Sequence, residues 1–164
     1  MTTWTYDIIS LAAADTLDGL FRERVRRAPE AVAYIYFDKT RDAWCTITWE
    51  EMAARVARWQ AALAQEQLRP GDRVAVMLRN GPEWVVFDQA ALALGLVTVP
   101  LYTDDRPDNV AYILSDCAAK LILLQDSAGW RRLRDALAPL PGLQRIILGG
   151  NTHEPLQDPR VVYE

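Results

Sequence analysis

Lysine is nearly absent from this chain of 164 residues. Of 18 basic residues only Lys39 and Lys120 are lysines, and the arginines are scattered along the chain. With 22 acids the formal charge is -4, so there is no concentrated basic face of the kind that phosphate neutralisation needs, and nucleic acid is excluded as the main partner. Histidine occurs once, at His153, in a proline-flanked stretch with no nearby Ser, Cys or second His. That isolation excludes a local catalytic set and reads as an exposed bystander. Cysteine occurs twice, at Cys45 and Cys117, far apart and each among apolar or small neighbours. A disulfide framework is thereby excluded; two small buried hydrophobes in a reducing cytoplasm is the reading that fits. None of the eight glycines opens a Ser/Thr/Gly-rich run or stands beside a lysine, so no phosphate-cradling loop is present. The opening "MTTWTYDIISLAAADTL" has no basic leader and its apolar stretch is bracketed by Asp7 and Asp15, which makes neither a signal peptide nor a membrane span.

What the chain does have is apolar patterning, at 51% hydrophobic residues, enough for one domain with a sizeable core. From Arg73 onward the runs "RVAVML", "LVTVPL", "KLILLQ" and "RIILG" are short, rich in Val, Ile and Leu, and separated by segments of helical length. Continuous runs of this kind suit strands covered on both faces of a parallel sheet. Between them, "NGPEWVVFDQAALALG" has Pro82 at a first helical turn and Gly95 at a left-handed cap. After "DDRP", the residues Val110, Ile113, Leu114 and Cys117 define one apolar helix face. Ser127 reads as the N-cap of a third helix with Trp130, Leu133 and Leu137 on one side. The expected fold class is doubly wound α/β, a mostly parallel sheet with flanking helices.

Upstream, "VAYIYF" and "WCTITW" flank the polar "DKTRDA" and read as an N-terminal β-hairpin. Thr48 and Glu51 form a capping box ahead of a helix whose Trp49, Met52, Val56, Trp59 and Leu63 recur at helical spacing. Each such side chain contributes about 1.5–3 kcal/mol when buried, so core explains the stripe better than an aromatic box for a cofactor. Before the hairpin, "TLDGLFRERVRRAPEAVAY" is an amphipathic helix with Leu17, Leu20, Phe21 and Val25 on one face. The expected organisation is an N-terminal tail over 1–15, an α/β subdomain over 16–150, and an irregular, proline-bearing tail over 151–164.

These landmarks in this order resemble the start of an AMP-forming acyl-CoA synthetase of the adenylate-forming superfamily. The segments that carry the resemblance are "TLDGLFRERVRRAPEAVAY", "TWEEMAARVARWQAAL", "GDRVAVMLRNGPEWVVFDQAALALGLVTVPLY" and "NVAYILSDCAAKLILL". "NGPEW" followed by "VTVPLY" is closer to the long-chain fatty-acid ligase branch than to peptide-synthetase domains. The resemblance implies that a carboxylate attacks ATP to give an acyl-adenylate and pyrophosphate, after which the thiol of coenzyme A displaces AMP, with Mg²⁺ as the metal. It also implies that the phosphate loop and the catalytic lysine lie further along a longer chain. The expectation is therefore an N-terminal fragment, without catalytic residues or bound ligands of its own and inactive alone, from a cytoplasmic enzyme of fatty acid metabolism. A homodimer and a peripheral membrane contact stay open.

Two sets of candidate site residues follow from the resemblance. In "PLYTDD", Tyr102 and Asp104 stand where a strand end would support the acyl and coenzyme A side of the cleft, since open α/β sheets place ligands at carboxyl ends of strands. The plainer reading is a turn in which Pro100 and Pro107 set the geometry while Asp105 or a neighbour caps the next helix. Asp104 and Asp105 as a metal pair would need further oxygen ligands that the sequence does not show. In "GWRRLRDAL", Arg131 and Arg134 share a helix face and could grip an anion together, at a place comparable to that of arginines that in some relatives contact the 3′-phosphate of coenzyme A; a solvated face is the plainer reading. The competing class of function is a stand-alone flavodoxin-like ligand-binding or interaction module. Against it, "RVAVML" runs into Arg79 and Asn80 rather than acids, and no Thr/Ser-Gly loop follows.

Overall fold

A computed structural model describes residues 7–150 and 158–164. His153 and the first six residues lie outside the described residues. The first helix, α1 (Leu17–Arg27), is capped by Thr16, whose hydroxyl accepts the Gly19 N–H at 2.9 Å. Its apolar face is covered less than its pattern suggests. Phe21 is buried, edge-on to Trp49 at 6.0 Å, but Leu17 and Leu20 remain 65% and 44% exposed. Amphipathicity marks a face as apolar without supplying a neighbour for all of it.

On the polar side of α1, Arg24 and Arg27 each meet Asp7 at 2.6 Å, and Glu23 accepts from Arg26 and Arg27 at 2.7 Å. The hydrogen bond from Arg26, then that from Arg27, hold the Glu23 carboxyl down to about 2, from an ordinary 4.5. A lowered carboxylate pKa means that the stabilisation is present above 4.5 and disappears as pH falls toward 2. An NMR titration of the Glu23 carboxyl carbon is expected to show its midpoint near the lower value; a midpoint at the ordinary value would contradict the pairing.

Strands β1 (Val32–Asp38) and β2 (Ala43–Thr48) pair antiparallel as the expected hairpin. Asp38 turns the chain by accepting the Thr40 and Arg41 N–H groups. Then α2 (Trp49–Ala64) begins with the capping box in place, Thr48 Oγ1 accepting from Glu51 N at 3.2 Å and Glu51 Oε2 accepting from Thr48 N at 2.9 Å. A cap of this kind stabilises by about 1 kcal/mol. The α2 stripe is core: Met52, Val56 and Leu63 are buried, and Trp59 meets Phe87 edge-on at 5.2 Å.

The remaining elements alternate. They are β3 (Arg73–Met77), α3 (Pro82–Ala93), β4 (Val97–Pro100), α4 (Pro107–Asp116), β5 (Leu121–Leu124), α5 (Ser127–Leu137), β6 (Arg145–Leu148) and β7 (Val161–Tyr163). The five strands from β3 to β7 form one parallel sheet in the order β4-β3-β5-β6-β7. Right-handed crossovers in that order put α3 on one face and α4 and α5 on the other. Two cores result. Val74, Val76, Leu121 and Leu123 face Phe87 of α3 together with α2 and the hairpin, while Ala75, Met77, Ile122 and Leu124 face Leu114 of α4 and Leu133 of α5. This is the doubly wound arrangement, and burial on both faces is why these strands are continuous apolar runs.

Three details differ from expectation. Asp126, not Ser127, caps α5, its Oδ1 accepting the Gly129 N–H at 2.8 Å and leaving Ser127 buried as the first helical residue. Cys45 and Cys117 are free but only half-buried. The stretch expected to be irregular after residue 150 contains β7, which pairs with β6 from Ile146↔Val161 to Leu148↔Tyr163; three residues are too few to show a period. Gly95 behaves as anticipated, at φ +70 with Pro70 so close that an added Cβ would lie 3.2 Å from it. At the sheet margin, Val97 and Leu101 N–H groups point inward to Asp72 and Val76 carbonyls, both at 2.9 Å, so Pro100 between them occupies a position facing outward.

Candidate functional site

The strand order dictates where a crevice must open. After β3 the chain goes first to β4 on one side and then crosses to β5 on the other, so the helices that follow these strands diverge at the carboxyl ends of β3 and β5. A cleft of about 790 Å³ lies there. Its floor is tied across the switch point by the Arg79 N–H donating to Gln125 Oε1 at 3.0 Å, one group following β3 and the other following β5. Gly149, at the end of β6, is buried, and a Cβ there would come within 3.1 Å of the Gln125 carbonyl oxygen. Glycine at that position is what lets the ends of β5 and β6 approach.

The walls carry both signs of charge. Lys39 of the hairpin turn, Arg79 and Arg132 stand with Glu83, Asp104 and Asp126 around the opening. A mixed rim suits a ligand held by a few directed polar contacts more than a polyanion held by bulk charge. Two helices begin at this edge: α5 is capped by Asp126, while Gly81 gives α3 no side-chain cap.

The strand-end turn that follows β4 joins this cleft. Asp104 lines it, and Tyr102, 85% exposed, lines an adjoining groove of about 440 Å³ with Trp84 and Leu78. Asp105 braces the turn, its carboxylate accepting from the Arg106 N–H at 3.0 Å and from the Asn109 amide at 2.7 Å. Arg106 is the N-cap of α4, without a side-chain cap bond, and Pro107 starts the helix. Both readings of "PLYTDD" thus occupy one loop, with Asp105 serving the turn and Asp104 facing the cleft. Asp105 is committed to those bonds, and among the described residues no group of three or more His, Cys, Asp or Glu side chains could hold a metal ion.

The arginines of α5 divide differently from their spacing. Arg131 reaches Ser127 Oγ at 3.5 Å and Arg134 pairs with Asp135 at 3.5 Å; neither lines the cleft. Arg132 between them does, and its guanidinium donates to the Thr103 and Asp105 carbonyls. Sequence reasoning missed Arg132, and it missed the Arg79 to Gln125 tie. The available signal was position alone: both tie residues follow directly after apolar strand runs. No helix of the described residues is long and apolar enough to cross a membrane.

Comparison with known proteins places this geometry. The family described as AMP-binding enzyme matches residues 21–158. The chain is 30% identical to malpibaldin synthetase of Mortierella alpina over 74% of its own length and 2% of that protein's. To the long-chain-fatty-acid–CoA ligase FadD15 of Mycobacterium bovis it is 25% identical, over 81% of the chain and 22% of the ligase. Among solved structures, the Mycobacterium tuberculosis fatty acyl CoA synthetase superposes with a TM-score of 0.69 at 26% identity, over 80% of this chain and 26% of the synthetase. The chain thus spans about a fifth of the ligase's length and far less of malpibaldin synthetase's.

Proposed function

Because this chain belongs to the AMP-binding enzyme family, we propose that it forms the amino-terminal part of an ATP-dependent ligase that converts a fatty acid to its acyl-adenylate and then to the coenzyme A thioester. The observation that carries this reading is the agreement in fold with a fatty acyl CoA synthetase at 26% identity, beside a cleft at the strand ends of this chain. The choice of a fatty-acid substrate over the amino acids of peptide synthetases leans on "NGPEW" and "VTVPLY", since an adenylation-PCP di-domain NRPS and a fatty acyl CoA synthetase match at 27% and 26% identity. In this reading ATP, the carboxylate and coenzyme A are substrates, Mg²⁺ accompanies ATP, and the enzyme is cytoplasmic.

This chain's share of the work is to bind and orient. Tyr102 and Asp104 line one wall of the acyl and coenzyme A side, and Arg131 and Arg134, on α5 outside that cleft, meet the 3′-phosphate where coenzyme A extends beyond it. Without a lysine-bearing phosphate loop the 164 residues alone form no adenylate. The test is carboxylate-dependent pyrophosphate release. It is expected from the longer protein that carries this chain, with fatty acids preferred, and is expected to be absent from the 164 residues by themselves. Changing Arg131 and Arg134 together to alanine in the longer protein is expected to raise the KM for coenzyme A roughly tenfold, the loss of about one charge-assisted contact. Pyrophosphate release by the isolated chain, or an unaltered KM in the double variant, would each remove the corresponding part of the reading.

A further inference from the structure

Among the described residues, one side chain from a distant helix hydrogen-bonds the turn between β4 and α4 to the rest of the molecule. The last bond that ties it to the sheet is Leu101 N–H to the Val76 carbonyl at 2.9 Å. From there to Arg106 the bonds are local: Asp105 N–H to the Tyr102 carbonyl at 3.1 Å, and the Asp105 carboxylate to Arg106 and Asn109. Such bonds shape a turn without fixing where it stands. Arg132 of α5 supplies the missing attachment, one terminal nitrogen donating to the Asp105 carbonyl and the other to the Thr103 carbonyl at 2.6 Å.

The two acceptors flank Asp104, so the guanidinium holds the chain on both sides of the residue that lines the cleft. Helix geometry selects Arg132 for this. Trp130, Leu133 and Leu137 are buried against the sheet, and a turn of about 100° per residue swings Arg132 to one flank of that buried stripe. A planar fork with parallel donors can satisfy two carbonyls at once, whereas the ammonium of a lysine is a compact point charge. Among the described residues Arg132 forms no ion pair, so the two carbonyls are its partners.

We propose that Arg132 is a positioning residue for the cleft: by holding the Thr103 and Asp105 carbonyls it sets where Tyr102 and Asp104 stand against the bound ligand. The inference rests on the reading above that this strand end lines the acyl and coenzyme A side. It is tested in the longer protein that carries this chain, with Arg132→Ala and Arg132→Lys, by hydrogen exchange and by steady-state kinetics. In Arg132→Ala, amide exchange at residues 103–106 is expected to accelerate about tenfold or more through local opening, with β3 and β5 unmoved. The KM for coenzyme A or for the carboxylate is expected to rise about fivefold, with kcat falling less than KM rises. Arg132→Lys is expected to restore part of both effects. Unchanged exchange at 103–106 overturns the proposal, and so does faster exchange with every KM unaltered. Failure of the ligase reading shows separately, as a wild-type protein that releases no pyrophosphate with any carboxylate. In that event the exchange arm alone decides, an acceleration supporting the attachment by Arg132 and its absence overturning it.

Discussion

Changing Phe87 to alanine is expected to remove about 3–5 kcal/mol of stability, a large part of the roughly 5–15 kcal/mol that a domain of this size possesses. Phe87 is fully buried on α3, at the point where α3, α2 and the sheet meet. Its ring presents an edge contact to Trp59 at 5.2 Å and covers the face made by Val74, Val76, Leu121 and Leu123. Truncation to a methyl group leaves a cavity that neither a helix fixed by Pro82 at its start and Gly95 at its end nor a five-stranded sheet can close. Urea denaturation followed by tryptophan fluorescence measures the change as a lower midpoint. Phe87→Leu, which keeps much of the volume, is expected to cost about 1.5 kcal/mol or less. A loss under about 1 kcal/mol in the alanine variant would mean that this interface is looser than its geometry.

The opposite face gives the second large effect, and it depends on pH. Leu133 is fully buried between α5 and the strands that carry Ile122, Leu124 and Ile146. Aspartate at that position loses the apolar contacts, about 2–5 kcal/mol by analogy with truncation, and adds a carboxyl among side chains that offer it no cation. Burial raises the folded-state pKa of that carboxyl above its unfolded value near 3.9. The sign follows: the variant is least destabilised below that value, where both states are protonated, and loses further stability as pH rises through the raised folded pKa. Leu133→Asp is therefore expected to be unfolded at neutral pH by circular dichroism and to regain helix on mild acidification. Leu133→Met, nearly equal in volume, is expected to fold at both. An aspartate variant as stable at neutral pH as in acid would contradict the packing of α5 against the sheet.

Much of this architecture was legible in the residues, and the parts that were not share a physical reason. The runs around Val76, Leu123 and Ile147 announced strands because burial on both faces leaves no polar position to interrupt them. Thr48 and Glu51 announced α2 because both partners of a capping box are local. Asp126 and Ser127 were confused because both are cap residues standing side by side. Leu17 and Leu20 lie on the apolar face of α1 and are still exposed, because the helical period reports which side is apolar and not what lies over it. For the site the limit is sharper. The spacing of Arg131 and Arg134 establishes that they are neighbours, but which arginine of α5 meets the cleft depends on where β4 lies relative to β5. That order is set by crossovers tens of residues long and leaves no local trace, which is also why the bond between Arg79 and Gln125 could not be anticipated.

The two margins of the sheet are blunted by different means. At β4 the outward positions are Thr98 and Pro100, and Pro100 has no N–H to offer to a neighbouring strand. At β7 the Ile146 N–H bonds the Arg160 carbonyl and the Glu164 N–H bonds the Leu148 carbonyl, so Arg160, Val162 and Glu164 face β6, while the outward-facing Val161 gives its N–H to the Asp158 carbonyl at 3.1 Å. A strand arriving at either border would meet a gap in the row of donors, made by a ring at Pro100 and by a local bond at Val161.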